Sequence, residues 1–149
     1  MINVIILAIL ALLIIGLAAA VYLKRRPKTL DNEMYLVKWK ELQGFCKDRK
    51  TWPDALRSAD QLLDTALRAR KMRGKTMGER MASASRVMSN NDAMWFAHNL
   101  CKKLAEKPTT RLKEAEVKAA LVGFRQALKD IGALETTTKQ TADAEGDKA

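Results

Sequence analysis

The chain has 149 residues, 27 Lys and Arg against 17 Asp and Glu, a formal net charge of +10 and a single histidine. That length holds one domain and little else. Two distant cysteines, no CxxC pair and no second histidine exclude a zinc site built from ordinary ligands, so neither metal nor cofactor is expected.

The front of the chain differs in kind from the rest. Val4 to Leu23, VIILAILALLIIGLAAAVYL, runs for twenty residues without a charge. A bilayer core of roughly 30 Å takes about 20 helical residues to cross. The rival reading is a secretory signal peptide, for which AAAV could serve as a cleavage site. Against it, the run is longer than a usual apolar core region, nothing basic precedes it, and KRRPK follows at once. Residues 1–23 are therefore expected to form an uncleaved transmembrane anchor and residues 24–33 a basic juxtamembrane linker. Pro27 suits the end of the spanning helix, since it cannot continue the hydrogen-bond ladder.

Tyr22, Lys24, Arg25, Arg26 and Lys28 fall where interfacial aromatics and cations meet the membrane surface. Their charge sets an orientation at the cell membrane with the N-terminus outside and the C-terminal domain cytoplasmic. All formal charges follow Leu23. From Lys24 to Leu134 there are 25 basic and 13 acidic residues, a balance of +12. Anionic lipid heads are the first partner that such a surface suggests. Nucleic acid is the second, and against both stands the plain reading of a solvated basic face.

Residues 34–134 read as a cytosolic all-α bundle of five helices. Tyr35, Trp39, Leu42 and Cys46 share one face of a first helix over about 31–48. Thr51 is expected to cap the second, with Pro53 in its first turn and Trp52, Leu56, Ala59, Leu63, Ala66 and Leu67 as its buried stripe. Asp60 and Asp64 are expected to be surface charges or to pair with Arg57 and Arg68. Gly74 is read as the stop of this helix. Gly74-Lys75-Thr76 imitates the end of a phosphate-binding loop, but Ala69 stands where the first glycine belongs and a helix precedes it instead of a strand. Thr76 and Glu79 form a capping box for a short third helix, whose Met77, Met81, Ala84 and Met88 make one apolar face.

Ser89 to Asp92 break the pattern, and Asn91 or Asp92 is expected to cap a fourth helix. There Met94, Trp95, His98, Cys101, Leu104 and Ala105 share a broad face, and Pro108 ends it. Thr110 is expected to cap the last helix, in which Val117, Leu121, Phe124, Leu128 and Ile131 recur at helical spacing before Gly132. Cys46 and Cys101 read as core thiols of a reducing cytosol. Residues 135–149 have no apolar face and are expected to be disordered.

The segments ADQLLDTAL, RGKTMGERM, DAMWFAH and GFRQALKDIGAL resemble an uncharacterised family of small bacterial proteins, candidate-phyla-like and membrane-anchored, with an HEPN-like helical domain. The resemblance spans about 52–134. It implies a helical bundle that commonly dimerises and in many members cleaves RNA without metal, using an arginine and a nearby histidine. A relative would read AH-x-x-R-N-x-x-A-H-E in the fourth helix. Here the motif arginine falls on Cys101 and the motif histidine on Glu106, so the implied catalytic motif is degenerate. An ionised Glu106 repels phosphate, Cys101 carries no positive charge, and Lys102 points about 100° away around the helix.

A Cys101–His98 nucleophile pair lacks a recognisable third group to orient the base. No catalytic residue is therefore assigned. The expectation is a non-enzymatic, single-pass membrane protein whose cytosolic bundle self-associates or binds a partner, with Trp95, His98 and Phe124 as interface candidates. The alternatives are a membrane-tethered nucleic-acid-binding module and a ribonuclease with a non-standard site.

Overall fold

The computed structural model describes residues 1–25 and 29–134. The surface roles expected of Arg26 and Lys28, the side chain of Arg25, the role of Pro27, and the tail 135–149 lie outside what is described. Among the described residues every regular element is helical.

Helix α1 (Ile2–Arg25) holds 24 residues, about 36 Å at 1.5 Å per residue. Its stretch Ile2–Lys24, with a mean hydropathy of 3.2, is long and apolar enough to cross a membrane. All its side chains up to Lys24 are exposed, and among the described residues it packs against no other helix.

Helix α2 (Asn32–Gly44) begins at Asp31, whose carboxylate accepts from the Met34 amide at 3.2 Å. Tyr35, Trp39 and Leu42 are buried as their spacing predicts. The α-helix stops earlier than the expected Asp48 and tightens into a 3-10 turn, Phe45–Lys47. Asp48 then turns extended, and its side chain accepts from the Lys50 amide to start a second turn, Arg49–Thr51. Thr51 holds the expected N-cap position of the next helix, but its side chain makes no capping bond. Its hydroxyl donates instead to Phe45 O at 2.6 Å, while Trp52 Nε1 donates to Cys46 O at 3.0 Å. These two bonds pin the corner between α2 and α3.

Helix α3 (Trp52–Ala69) is the centre of the body and touches α2, α4, α5 and α6. Leu56, Leu63 and Leu67 are fully buried, each contributing roughly 1.5–3 kcal/mol of burial free energy. Its end corrects the sequence reading. The residue that closes the helix at positive φ is Lys71 (φ 58°), three residues before Gly74 (φ 142°), with Met72 N bonding Leu67 O at 3.0 Å and Lys71 N bonding Arg68 O at 2.9 Å. This is a Schellman closure, and only the lysine side chain is unusual in it.

Helix α4 (Met77–Ala84) carries the expected Thr76–Glu79 capping box. Helix α5 (Asn91–Glu106) is capped by Asn90, whose side chain accepts from the Ala93 amide at 3.0 Å, and the expected caps Asn91 and Asp92 fall inside the first turn. Helix α6 (Glu114–Asp130) starts at Lys113, not Thr110. Leu112 first turns into the core, and the Thr110 hydroxyl bonds Lys107 O. It ends as expected at Gly132 (φ 78°), where a second Schellman closure folds Ala133 and Leu134 onto the core.

The α5–α6 pair is the most extensive helix packing in the body. It is close enough that a Cβ on Gly123 would lie 2.5 Å from Ala93 O. Any larger residue there forces the two helices apart.

Candidate functional site

The chain's one histidine lies between α3 and α5. His98 and Asp60 come together at 2.9 Å, Nδ1 to Oδ1, with side chains 12% and 20% exposed. An ionised carboxylate only accepts, so Nδ1 carries the proton and donates. Trp95 meets the imidazole edge-on, with centroids 6.2 Å apart at 73°. Arg57, one expected partner of Asp60, reaches Asp54 instead, at 3.7 Å.

The third group that the sequence reading failed to find for the imidazole is thus Asp60, 38 residues away. Nothing local in the sequence marks it. The only signal was that a half-buried histidine needs a polar partner.

One helical turn after His98, the Cys101 thiol donates to Leu56 O at 3.4 Å. Burial pushes this thiol up to about 12, the Asp60 charge adds to the shift and Arg57 opposes it. A thiol so placed is not a thiolate at neutral pH, and the thiolate is the nucleophile. Beside it a cleft of about 170 Å³ opens between Pro53, Arg57, Asp60, Cys101, Lys102 and Ala105. That is smaller than a usual small-molecule site, roughly 300 Å³ upward.

Glu106 is exposed in the last turn of α5, about 140° around the helix from Cys101. Trp95 is half-buried. Phe124 lies wholly inside the core at 0% exposure, which withdraws it from any interface. Tyr22 and Lys24 are exposed on α1. Among the described residues no group of three or more His, Cys, Asp or Glu side chains could hold a metal ion.

A second polar cluster lies one turn along α3. Arg80 of α4 is only 6% exposed. Its Nε and one terminal nitrogen bond Asp64 Oδ1 at 2.8 and 2.6 Å, and the other nitrogen bonds Gly74 O and Lys75 O at 3.0 and 3.1 Å. Arg68 holds the second Asp64 oxygen at 2.9 Å, as its spacing predicts. Sequence reasoning missed Arg80 entirely, because a buried cation has no signature in apolar periodicity.

No protein-family model, no curated protein and no solved structure matches the chain.

Proposed function

We propose that this is a single-pass membrane protein whose helical body lies on the cytoplasmic side and serves as a self-associating, non-enzymatic module. One observation carries the reading. Helix α1 exposes apolar side chains over its whole length, and none of the other described helices packs against it. In water such a surface far exceeds what a soluble monomer tolerates. The cations after Leu23 give the orientation.

The body's reactive side chains are engaged internally. His98 bonds Asp60, Cys101 is a protonated thiol on Leu56 O, and Asp64 and Arg80 bond each other. Several arginines that could read phosphate are likewise engaged. Arg49 lies over Trp52 at 5.4 Å and bonds Leu112 O, and Arg70 bonds Ile131 O at 2.8 Å. This weakens the nucleic-acid alternative.

Under the HEPN-like resemblance, the motif places hold a half-buried thiol at 101 and an exposed carboxylate at 106, neither suited to phosphodiester cleavage. The same resemblance directs self-association to α5 and α6, which leave Phe96 43% and Val122 66% exposed.

Crosslinking the intact protein in its own membranes tests the reading. A homodimer band should form, and Phe96→Glu combined with Val122→Glu should remove it. A protein that stays monomeric at every crosslinker dose would contradict self-association.

A further inference from the structure

Helices α5 and α6 run antiparallel. Ser89, just before α5, bonds Asp130 at the end of α6, and Ala93 meets Gly123 at their closest approach. The inner side of the pair is fixed by Met94 and Ala97 of α5 and by Val117 and Phe124 of α6, all buried.

Helical angles then define the outer side. From α6 it receives Ala115, Ala119 and Val122, spaced i, i+4 and i+7. From α5 it receives Asp92, Phe96, Asn99 and Lys103. All of these residues are exposed. Phe96 falls at the level of Ala119 and leans towards α6, so it joins the three α6 side chains in one apolar centre. Asp92 and Lys103 bound that centre at opposite ends. Among the described residues neither makes an ion pair within the chain.

The face is complementary to itself. The level midway between Asp92 and Lys103 lies four and a half residues past Ala93 on α5. The level midway between Ala115 and Val122 lies the same number before Gly123 on α6, so the two midpoints coincide. A two-fold axis there, lying in the face and across the helices, sets Asp92 against the partner's Lys103 and Val122 against the partner's Ala115. Such matching is what an interface between identical surfaces requires. An axis along the helices would instead bring each charge to its own level in the second copy. Lys118, at the outer edge near the axis, is already offset by Glu114 at 2.8 Å.

We infer that two copies pair antiparallel through this face, α5 on α5 and α6 on α6. Phe96, Ala119 and Val122 form its centre, and Asp92 pairs with the partner's Lys103 at both ends. The inference rests on the self-association proposed above and adds its geometry. A two-fold axis along the membrane normal leaves both anchors on one side. Confinement to one bilayer raises the local concentration, so a modest face suffices.

The test treats the intact protein in its own membranes with a carbodiimide, which joins a carboxylate directly to a touching amine, and maps the joined peptides. Within one chain Asp92 and Lys103 are separated by about 16 Å along α5, too far for direct joining. A bond between them therefore links two copies, and it is the expected product. Lys103→Asp alone should reduce the dimer several-fold, and Asp92→Lys combined with Lys103→Asp should restore it through the exchanged pair. Recovery in the double variant separates pairing from misfolding.

A long amine-reactive crosslinker is applied in parallel. If it yields dimer while no bond joins Asp92 to Lys103, the antiparallel arrangement is wrong and self-association stands. If neither reagent yields a dimer, both readings fall. A dimer indifferent to Lys103→Asp, or a double variant as monomeric as the single, would also overturn the inference.

Discussion

Two carboxylates one turn apart on α3 meet opposite treatment. Asp64 receives Arg80 and Arg68, and the Arg80 guanidinium is bonded on all sides to the carboxylate and the carbonyls of Gly74 and Lys75. Among the described residues Asp60 receives His98 alone, and both side chains keep some exposure. The difference follows from charge. A guanidinium is always ionised, so burying it is stable only when its donors are satisfied. An imidazole can stay neutral and tolerates a single bond at the edge of the core. The Arg80 corner is therefore a structural clamp that fastens the loop before α4 onto α3. The His98 corner is a looser contact between α3 and α5, beside a thiol that burial keeps protonated.

Breaking the clamp should have the largest effect. Arg80→Met is expected to destabilise the fold by about 3 kcal/mol, because Asp64 loses a buried partner and two carbonyls lose their donor. Urea unfolding of the variant, with Asp64→Asn beside it, measures this. The double variant should cost less than the sum of the two singles, since each removes the same pair. At the His98 corner, His98→Leu should cost only about 1 kcal/mol, the worth of one hydrogen bond less the apolar gain. If the two losses were equal, the contrast between clamp and contact would fail.

The thiol sharpens the contrast through pH. The Cys101 value is raised in the folded state, so its protonated form is the one favoured by folding. Its contribution to stability is complete below about pH 9 and is lost as pH rises towards about 12. The melting temperature should fall across that window, and Cys101→Val should flatten part of the fall. Alkylation at neutral pH should be slow in the folded protein and fast in urea.

The smallest effect lies at the end of α3. Lys71→Gly relieves a left-handed lysine and should stabilise by up to about 1 kcal/mol.

Much of the fold was legible, and for identifiable reasons. The helices of Tyr35–Trp39–Leu42, of Leu56–Leu63–Leu67 and of Val117–Phe124–Leu128 follow from spacing, and the Thr76–Glu79 box from a local motif. The ends were less legible. Asn90, Asn91 and Asp92 are all able to cap, and nothing in their types marks Asn90 as the one that accepts from the Ala93 amide. Lys71 took the place expected of Gly74 because the helix finished three residues sooner. The polar pairs were least legible. Asp60–His98 and Asp64–Arg80 join different helices, and no single-helix pattern encodes which carboxylate faces which base. Phe124, an interface candidate through the resemblance, is the residue that its spacing with Val117 and Leu128 places on the buried stripe, and it is wholly covered within the chain.

The central claim is that α1 remains on the chain as a membrane anchor. Its most direct test is the intact mass of the protein recovered from alkaline-washed membranes. The account predicts that the protein stays in the membrane pellet with the whole apolar segment up to Leu23 present. A soluble protein shortened by that segment would contradict it.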